Sequence, residues 1–207
     1  MKKQLLTAIA VCVSLCGYAQ TKGTNALGFG INSFTQKSSG TSGKNEINSN
    51  FFSFSYGHFI KENVKLGIDL NYGKNEQKYA SFSNQMSKIY GGNINYQRYF
   101  PIVKTLYAYA GGKGGYTYTE SSAEMAGVTR VVSTGNEYAI GAYGGVTWFV
   151  SKRLALETSL LSANIAYNQT KDKNTGYDNN SKTTQTTFNM STQGFINNLS
   201  FKIYLLF

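Results

Sequence analysis

His58 is the single histidine of the 207-residue chain, and its two cysteines are Cys12 and Cys16. Hydrolysis by a nucleophile and its base needs a serine or cysteine, a base and an orienting acid converging on one point. His58 stands two residues before the tight stretch "IKENV" (Ile60 to Val64). No serine and acid are brought to it by the pattern described below. No catalytic set assembles, and the chain is not expected to be an enzyme. "DKNTGYDNN" (Asp172 to Asn180) has the flavour of a calcium loop, but Gly176 falls on a ligand position. "GGKGGY" (Gly111 to Tyr116) lies inside a strand-like segment, with no following helix to hold a phosphate. No metal or other cofactor is expected.

The chemistry that remains is electrostatic. Asp69, Lys113, Glu157 and Lys202 all fall on the minor, polar face of alternating segments. A strand tilted by about 40° gains about 2.6 Å of height per residue. On that count Glu157, Asp69 and Lys202 reach one level and Lys113 sits higher. The segments carrying Glu157 and Lys202 are neighbours, so these two are the expected pair. Such a set is either a charged constriction that controls ion passage or a static network filling a narrow lumen. Two acids balanced by two lysines suit the closed network, because uncompensated buried charge is costly.

The elements that must hold these residues are strands. The chain has Gly 22, Tyr 16 and Phe 13 against one proline, and a mean hydropathy of −0.30 although 41% of its residues are hydrophobic. Aromatics interleaved with Gly, Ser, Thr and Asn favour two-faced β-strands. Period-two alternation recurs in eight segments, at about residues 24–37, 48–59, 65–78, 87–100, 105–119, 136–150, 154–168 and 193–207. Leu66, Ile68, Leu70 and Tyr72, for example, alternate with Gly67, Asp69, Asn71 and Gly73. Connections alternate too. "IKENV", "PIVK" and "SKR" are tight, whereas about 38–47, 79–86, 120–135 and 169–192 read as longer polar loops. All short turns then lie on one rim, with both termini, and all long loops on the other. An eight-stranded antiparallel up-and-down barrel follows, with no free edge and every backbone group paired.

Lys2 and Lys3, the apolar run "LLTAIAVCVSLC", and Gly17 and Ala19 before Gln20 form a secretory signal. Its roughly 12 apolar residues are too few for a spanning helix. Val11 and Leu15 precede the cysteines where a lipidation site needs a small residue. Residues 1–19 are therefore read as signal peptide and 20–207 as the barrel domain. The mature chain then carries no cysteine, hence no disulfide or thiolate metal site. The formal charge of +10 falls to +8 without Lys2 and Lys3. These charges are scattered and form no aromatic-basic cluster, which excludes nucleic acid and favours anionic lipid.

Alternation defines two faces without saying which is outside. A soluble ligand-binding barrel turns its apolar face inward, and a membrane barrel turns it to lipid. The polar face here is rich in glycine, serine and asparagine, as a narrow hydrated or plugged lumen would be. Aromatics gather toward the strand ends, with Tyr72, Tyr90, Tyr116, Tyr118, Tyr138 and Phe195 on the long-loop side. Phe59, Phe100, Trp148 and Phe207 gather on the other. Two interfacial girdles are the expected result, with Tyr72, Tyr90, Trp148 and Phe207 as their markers. Lys74, Lys78, Lys88, Lys171, Lys173 and Lys182 lie in or beside the long loops. They either pair with lipopolysaccharide phosphates or are ordinary solvated lysines.

The "GYAQ" signal end, the strand "LYAYAGGKGGYTYT" (Leu106 to Thr119) and the closing "LSFKIYLLF" resemble the small outer-membrane β-barrel proteins. These are the OmpA/OmpX-type outer membrane protein beta-barrel domain family, in the style seen in Bacteroidetes. The resemblance covers the whole mature chain and rests on patterns rather than on invariant residues. It implies an outer-membrane, multi-pass, monomeric barrel with periplasmic termini, and lipid, including lipopolysaccharide, as partner. It also implies that Phe201, Ile203, Leu205 and Phe207 form the C-terminal signal for the barrel-assembly machinery. OmpA-type proteins often continue into a peptidoglycan-binding domain, and that activity is not carried over. The expected role is structural or interactive, in membrane integrity or adhesion through the long loops. The alternatives are a narrow porin-like channel with a charged lumen and, behind it, a soluble lipocalin-like binder.

Overall fold

The computed structural model describes residues 22–40, 43–79, 84–125, 128–173, 181–191 and 201–207. The expected signal peptide lies outside these residues, as does Phe195. The described residues form nine strands: β1 (Asn25–Gly40), β2 (Gly43–Lys61), β3 (Val64–Tyr79), β4 (Gln85–Val103), β5 (Leu106–Met125), β6 (Val128–Ser151), β7 (Leu154–Asp172), β8 (Ser181–Ser191) and β9 (Phe201–Leu206). Each strand from β1 to β7 pairs antiparallel with the next. β9 pairs with β7 through Glu157↔Lys202 and with β1 through Gly30↔Lys202, which closes the ring. β8 pairs with the far half of β7, from Ser162↔Ser191 to Asp172↔Ser181. The fold is thus an all-β, antiparallel, up-and-down barrel with eight positions, and β8 and β9 share the last.

The strands run well past their expected ends. β1 and β2 stay in register to Gly40↔Gly43, and β5 and β6 to Met125↔Val128. Most of the segments read as long loops at 38–47 and 120–135 are therefore strand, whereas at 79–86 only Tyr79, Gln85 and Met86 are strand and 80–83 lie outside the described residues. The segment read as a loop at 169–192 contains the end of β7 and all of β8. Of the expected last strand at 193–207, Phe201–Leu206 is β9, and 193–200 lie outside the described residues. The reason is physical. Where a hairpin projects beyond the barrel both faces are wet, so the ladder continues without any apolar alternation to reveal it. β8 ("SKTTQTTFNMS") is instead marked by its β-branched threonines. At 24 residues β6 is more than twice the roughly 9–11 residues that a tilted strand needs to cross a bilayer.

The opposite rim is tight. Two-residue turns occur at Glu62-Asn63, Lys104-Thr105 and Lys152-Arg153. Asn63 takes φ 57°, a left-handed conformation that asparagine tolerates better than most residues. A register shift precedes each turn, at Phe59/Lys61, Pro101/Val103 and Phe149/Ser151. The chain's only proline, Pro101, sits at the second of these bulges, one of the few places a sheet accommodates a residue without an N–H.

Parity decides the faces. Ile68 (51% exposed), Leu70 (57%), Ile94 (61%) and Ile140 (68%) stand outside, while Lys65 (2%), Glu157 (5%) and Asp69 (9%) are buried inside. This is the inverse of a soluble barrel.

Candidate functional site

The lumen is built in layers. Its floor, next to the tight turns, is aromatic: Phe59, Tyr99, Tyr107, Phe149 and Tyr204 are each at most 5% exposed and pack as one cluster. Tyr107 meets Phe149 edge-on at 5.2 Å between centroids, and Tyr99 lies 5.6 Å from Phe59 and 6.0 Å from Phe149. Phe59, expected in the outer girdle, is 1% exposed and points inward. It shares the parity of Ser55 and Gly57, both buried on the inner face of β2. The polar lumen expected from the sequence accordingly lacks this floor, although Tyr107 and Tyr109 occupy the same alternation as Lys113.

Two inward glycines make the packing possible. A Cβ on Gly28 would come within 2.5 Å of the Tyr204 ring, and one on Gly57 within 2.8 Å of the Lys65 stem. Glycine leaves room for those large side chains to lie against the wall.

An ionic layer rests on the floor. Glu157, on β7, accepts from Tyr99 Oη at 3.0 Å, Gln97 Nε2 at 3.1 Å and Thr147 Oγ1 at 3.1 Å. Its ion-pair partner is Lys65 at 3.7 Å. The Lys65 ammonium also lies 4.1 Å from the centroid of the Tyr204 ring. Asp69, on β3, accepts from Ser55 Oγ, from Asn95 Nδ2 at 3.1 Å and from Lys202 Nζ at 3.2 Å. Lys202 also donates to Ser55 Oγ at 3.2 Å.

The structure thus brings Asp69, Glu157 and Lys202 to one region but distributes the partners differently from the sequence expectation. Glu157 and Lys202 are cross-strand neighbours, yet Lys202 pairs with Asp69 and Glu157 with Lys65. Neighbouring backbones fix only where two side chains start, and a lysine stem is long enough to reach a carboxylate further round the wall. Lys65 escaped the sequence reading because it directly follows a turn. Its place two and four residues before the inward Gly67 and Asp69 was the signal available.

Above this layer a cavity of about 230 Å³ is bounded by Asp69, Glu157, Lys202, Lys113, Tyr109 and Tyr143. Lys113 therefore stands above the other charges, with its ammonium 5.7 Å from the centroid of the Tyr143 ring. A second cavity, of about 190 Å³, shares Asn71, Asn93 and Lys113 with the first and reaches Glu137 and Asn164.

The remaining sequence candidates lie outside the lumen. Tyr72, Tyr90, Trp148 and Phe207 are exposed on the outer surface, at 38% to 69%. Tyrosines form cross-strand rungs there, Tyr72↔Tyr90↔Tyr118 and Tyr116↔Tyr138↔Tyr167. Ile203, Leu205 and Phe207 also face outward, and Phe201 pairs with Thr158. His58 is exposed near the tight-turn rim, with Nδ1 2.9 Å from Asn25 Oδ1. Among the described residues no group of three or more His, Cys, Asp or Glu side chains could hold a metal ion.

No family model matches the chain, and no curated protein matches it. Among solved structures it is similar to the translocator domain of the autotransporter NalP from Neisseria meningitidis. The two are 13% identical with a TM-score of 0.49, over 91% of this chain and 65% of that one. It is also similar to Neisserial surface protein A, with 13% identity and a TM-score of 0.42, over 88% of this chain and 94% of that one.

Proposed function

We propose that the protein is an integral outer-membrane barrel whose projecting hairpins serve a structural or surface-interaction role. The observation that carries this reading is the inversion of faces. Large apolar side chains cover the outside, while the charges are buried and paired within. In water that arrangement wastes its apolar surface, whereas against hydrocarbon it gains. The tyrosine rungs mark one interface and Trp148 with Phe207 the other. The tight turns and both termini lie on the periplasmic side, and the long hairpins on the outside. The chain acts as a monomer because its sheet closes on itself. Ile203, Leu205 and Phe207 line the outer face of β9, where the barrel-assembly machinery would read them together with Phe201. The aromatic floor opposes the narrow-channel reading. The protein is expected to fractionate with outer membranes and to migrate on gels in a heat-modifiable way. Shortening the hairpins at 120–135 and 169–192 is expected to leave that migration intact while abolishing adherence of the cells. Recovery in the soluble fraction would overturn the membrane reading, and unchanged adherence would remove the adhesive role.

Lipid phosphate suits the surface just above the rungs. Lys74 faces Lys88 and Lys171 faces Lys182 as direct cross-strand partners. Like charges so placed are destabilising unless something neutralises them. Glu76 takes Lys74 at 2.5 Å and Lys88 has Glu120 opposite it on its other side, whereas Lys171 and Lys182 suit anionic head groups. Replacing Lys171 or Lys182 by Gln is expected to reduce retention of a phosphorylated lipid A by about fivefold for each lysine, with dephosphorylated lipid A unaffected. Equal loss of both lipids would refute the role of phosphate.

A further inference from the structure

The ionic layer is self-satisfied, and the chamber above it is not. Both carboxylates and both lysines of the lower layer are paired. Lys113, one level higher, has the Tyr143 ring beside it but no ion-pair partner among the described residues. Glu137 lines the same upper cavity, and it too has no ion-pair partner among the described residues. Asn93 Oδ1, on the wall between them, is a buried acceptor without a donor.

Register explains why Lys113 and Glu137 do not simply neutralise each other. Lys113 is opposite Gly141, whereas Glu137 is opposite Thr117. The two residues therefore start four residues apart along the wall, about 13 Å at strand rise; they attract each other across the cavity both line but form no direct ion pair. Charges held in a confined lumen without partners are expensive, and so is an orphaned acceptor.

We propose that this upper chamber binds a small zwitterion, with its carboxylate at Lys113, its ammonium at Glu137 and an N–H donated to Asn93 Oδ1. A simple anion would leave Glu137 unpaired, and a simple cation would leave Lys113 so. The cavity of about 190 Å³ admits a molecule of amino-acid size rather than a polymer. Entry is from the hairpin side, because the aromatic floor blocks the other end and the inward residues above the chamber, such as Thr119 and Gly135, are small and only half-buried. The site depends on the lumen alone and holds whatever surrounds the barrel.

The test uses the full-length barrel, folded in detergent and verified by heat-modifiable migration, with L-serine as zwitterion, L-serinamide as cation and lactate as anion. Equilibrium dialysis is expected to show saturable binding of serine, at least tenfold tighter than that of serinamide or lactate. Lys113→Gln and Glu137→Gln are each expected to weaken serine binding at least tenfold while preserving the migration shift. Absence of saturable serine binding to the folded wild-type barrel would overturn the proposal. So would equal binding of lactate, or serine binding unchanged in either folded variant.

Discussion

Glu157→Gln is expected to lower the unfolding free energy of the barrel by about 3–5 kcal/mol, the range for breaking one partner out of a buried ion pair. The substitution keeps the shape of the side chain and removes the charge that holds Lys65. That lysine is 2% exposed. Once Glu157 is neutral, the Asp69 carboxylate, already engaged by Lys202, and the rings of Tyr99 at 5.6 Å and Tyr204 at 4.1 Å are left as its electrostatic support. Cation–π contacts are worth about 2 kcal/mol when desolvated, too little to replace a carboxylate. Tyr99, Gln97 and Thr147 also donate to Glu157, so the amide additionally presents a donor where three donors converge. Replacing the pair together, as Lys65→Met with Glu157→Leu, removes the desolvation penalty of both charges but leaves the donors of Tyr99, Gln97 and Thr147 without an acceptor, so it is expected to recover only part of the loss. The single tryptophan, Trp148, reports urea unfolding in lipid vesicles. An unchanged midpoint for Glu157→Gln would mean that the ionic layer does not support the barrel.

Ile94→Arg is expected to destabilise the membrane-inserted barrel by about 2–4 kcal/mol, the cost of an arginine at the bilayer midplane. Ile94 is 61% exposed, lies near the middle of β4 between Tyr90 of the rungs and Phe100 beside the tight turns, and faces Ile68, itself 51% exposed, across the β3–β4 ladder. On a soluble protein so exposed a position tolerates substitution within about 0.5 kcal/mol. Thr184→Arg is the matched control. Thr184 lies opposite Gln169 on β8, one rung beyond the Tyr167↔Thr186 pair, where the depth-dependent cost falls to about 0–1 kcal/mol. The same vesicle titration measures both variants. Equal midpoints for the two would remove the distinction in depth on which the membrane reading rests.

The zwitterion proposal and the Glu157 prediction concern adjacent layers of one lumen, and they separate cleanly. Losing the lower pair alters stability, whereas losing Lys113 or Glu137 alters occupancy. This division follows from hydrogen bonding: the lower carboxylates are satisfied by the protein, and the upper groups are left for something else.

Much of the architecture was legible in the sequence because a β-strand has a period of two. Alternation such as Leu66, Ile68 and Leu70 against Gly67, Asp69 and Asn71 assigns each residue to a face before any fold is known. Tight turns alternating with long connections then impose an up-and-down order. The ends of the hairpins were not legible, because strands wetted on both faces carry no apolar signal. The aromatic floor was missed for a related reason: Phe59 and Tyr107 are apolar enough to suit either face, and local pattern cannot rank them.

By itself, then, the sequence determined the strand class, the tight and long rims and the inward parity of Asp69, Lys113, Glu157 and Lys202, but not the presence of Lys65 beside them. Closure of the ring decided the rest. Lys202 starts beside Glu157 yet pairs with Asp69, and Lys65 takes Glu157 instead. Side-chain direction is a local property of the backbone, but the partner met across a lumen depends on the curvature and stagger of the whole sheet. No stretch of the sequence contains that geometry.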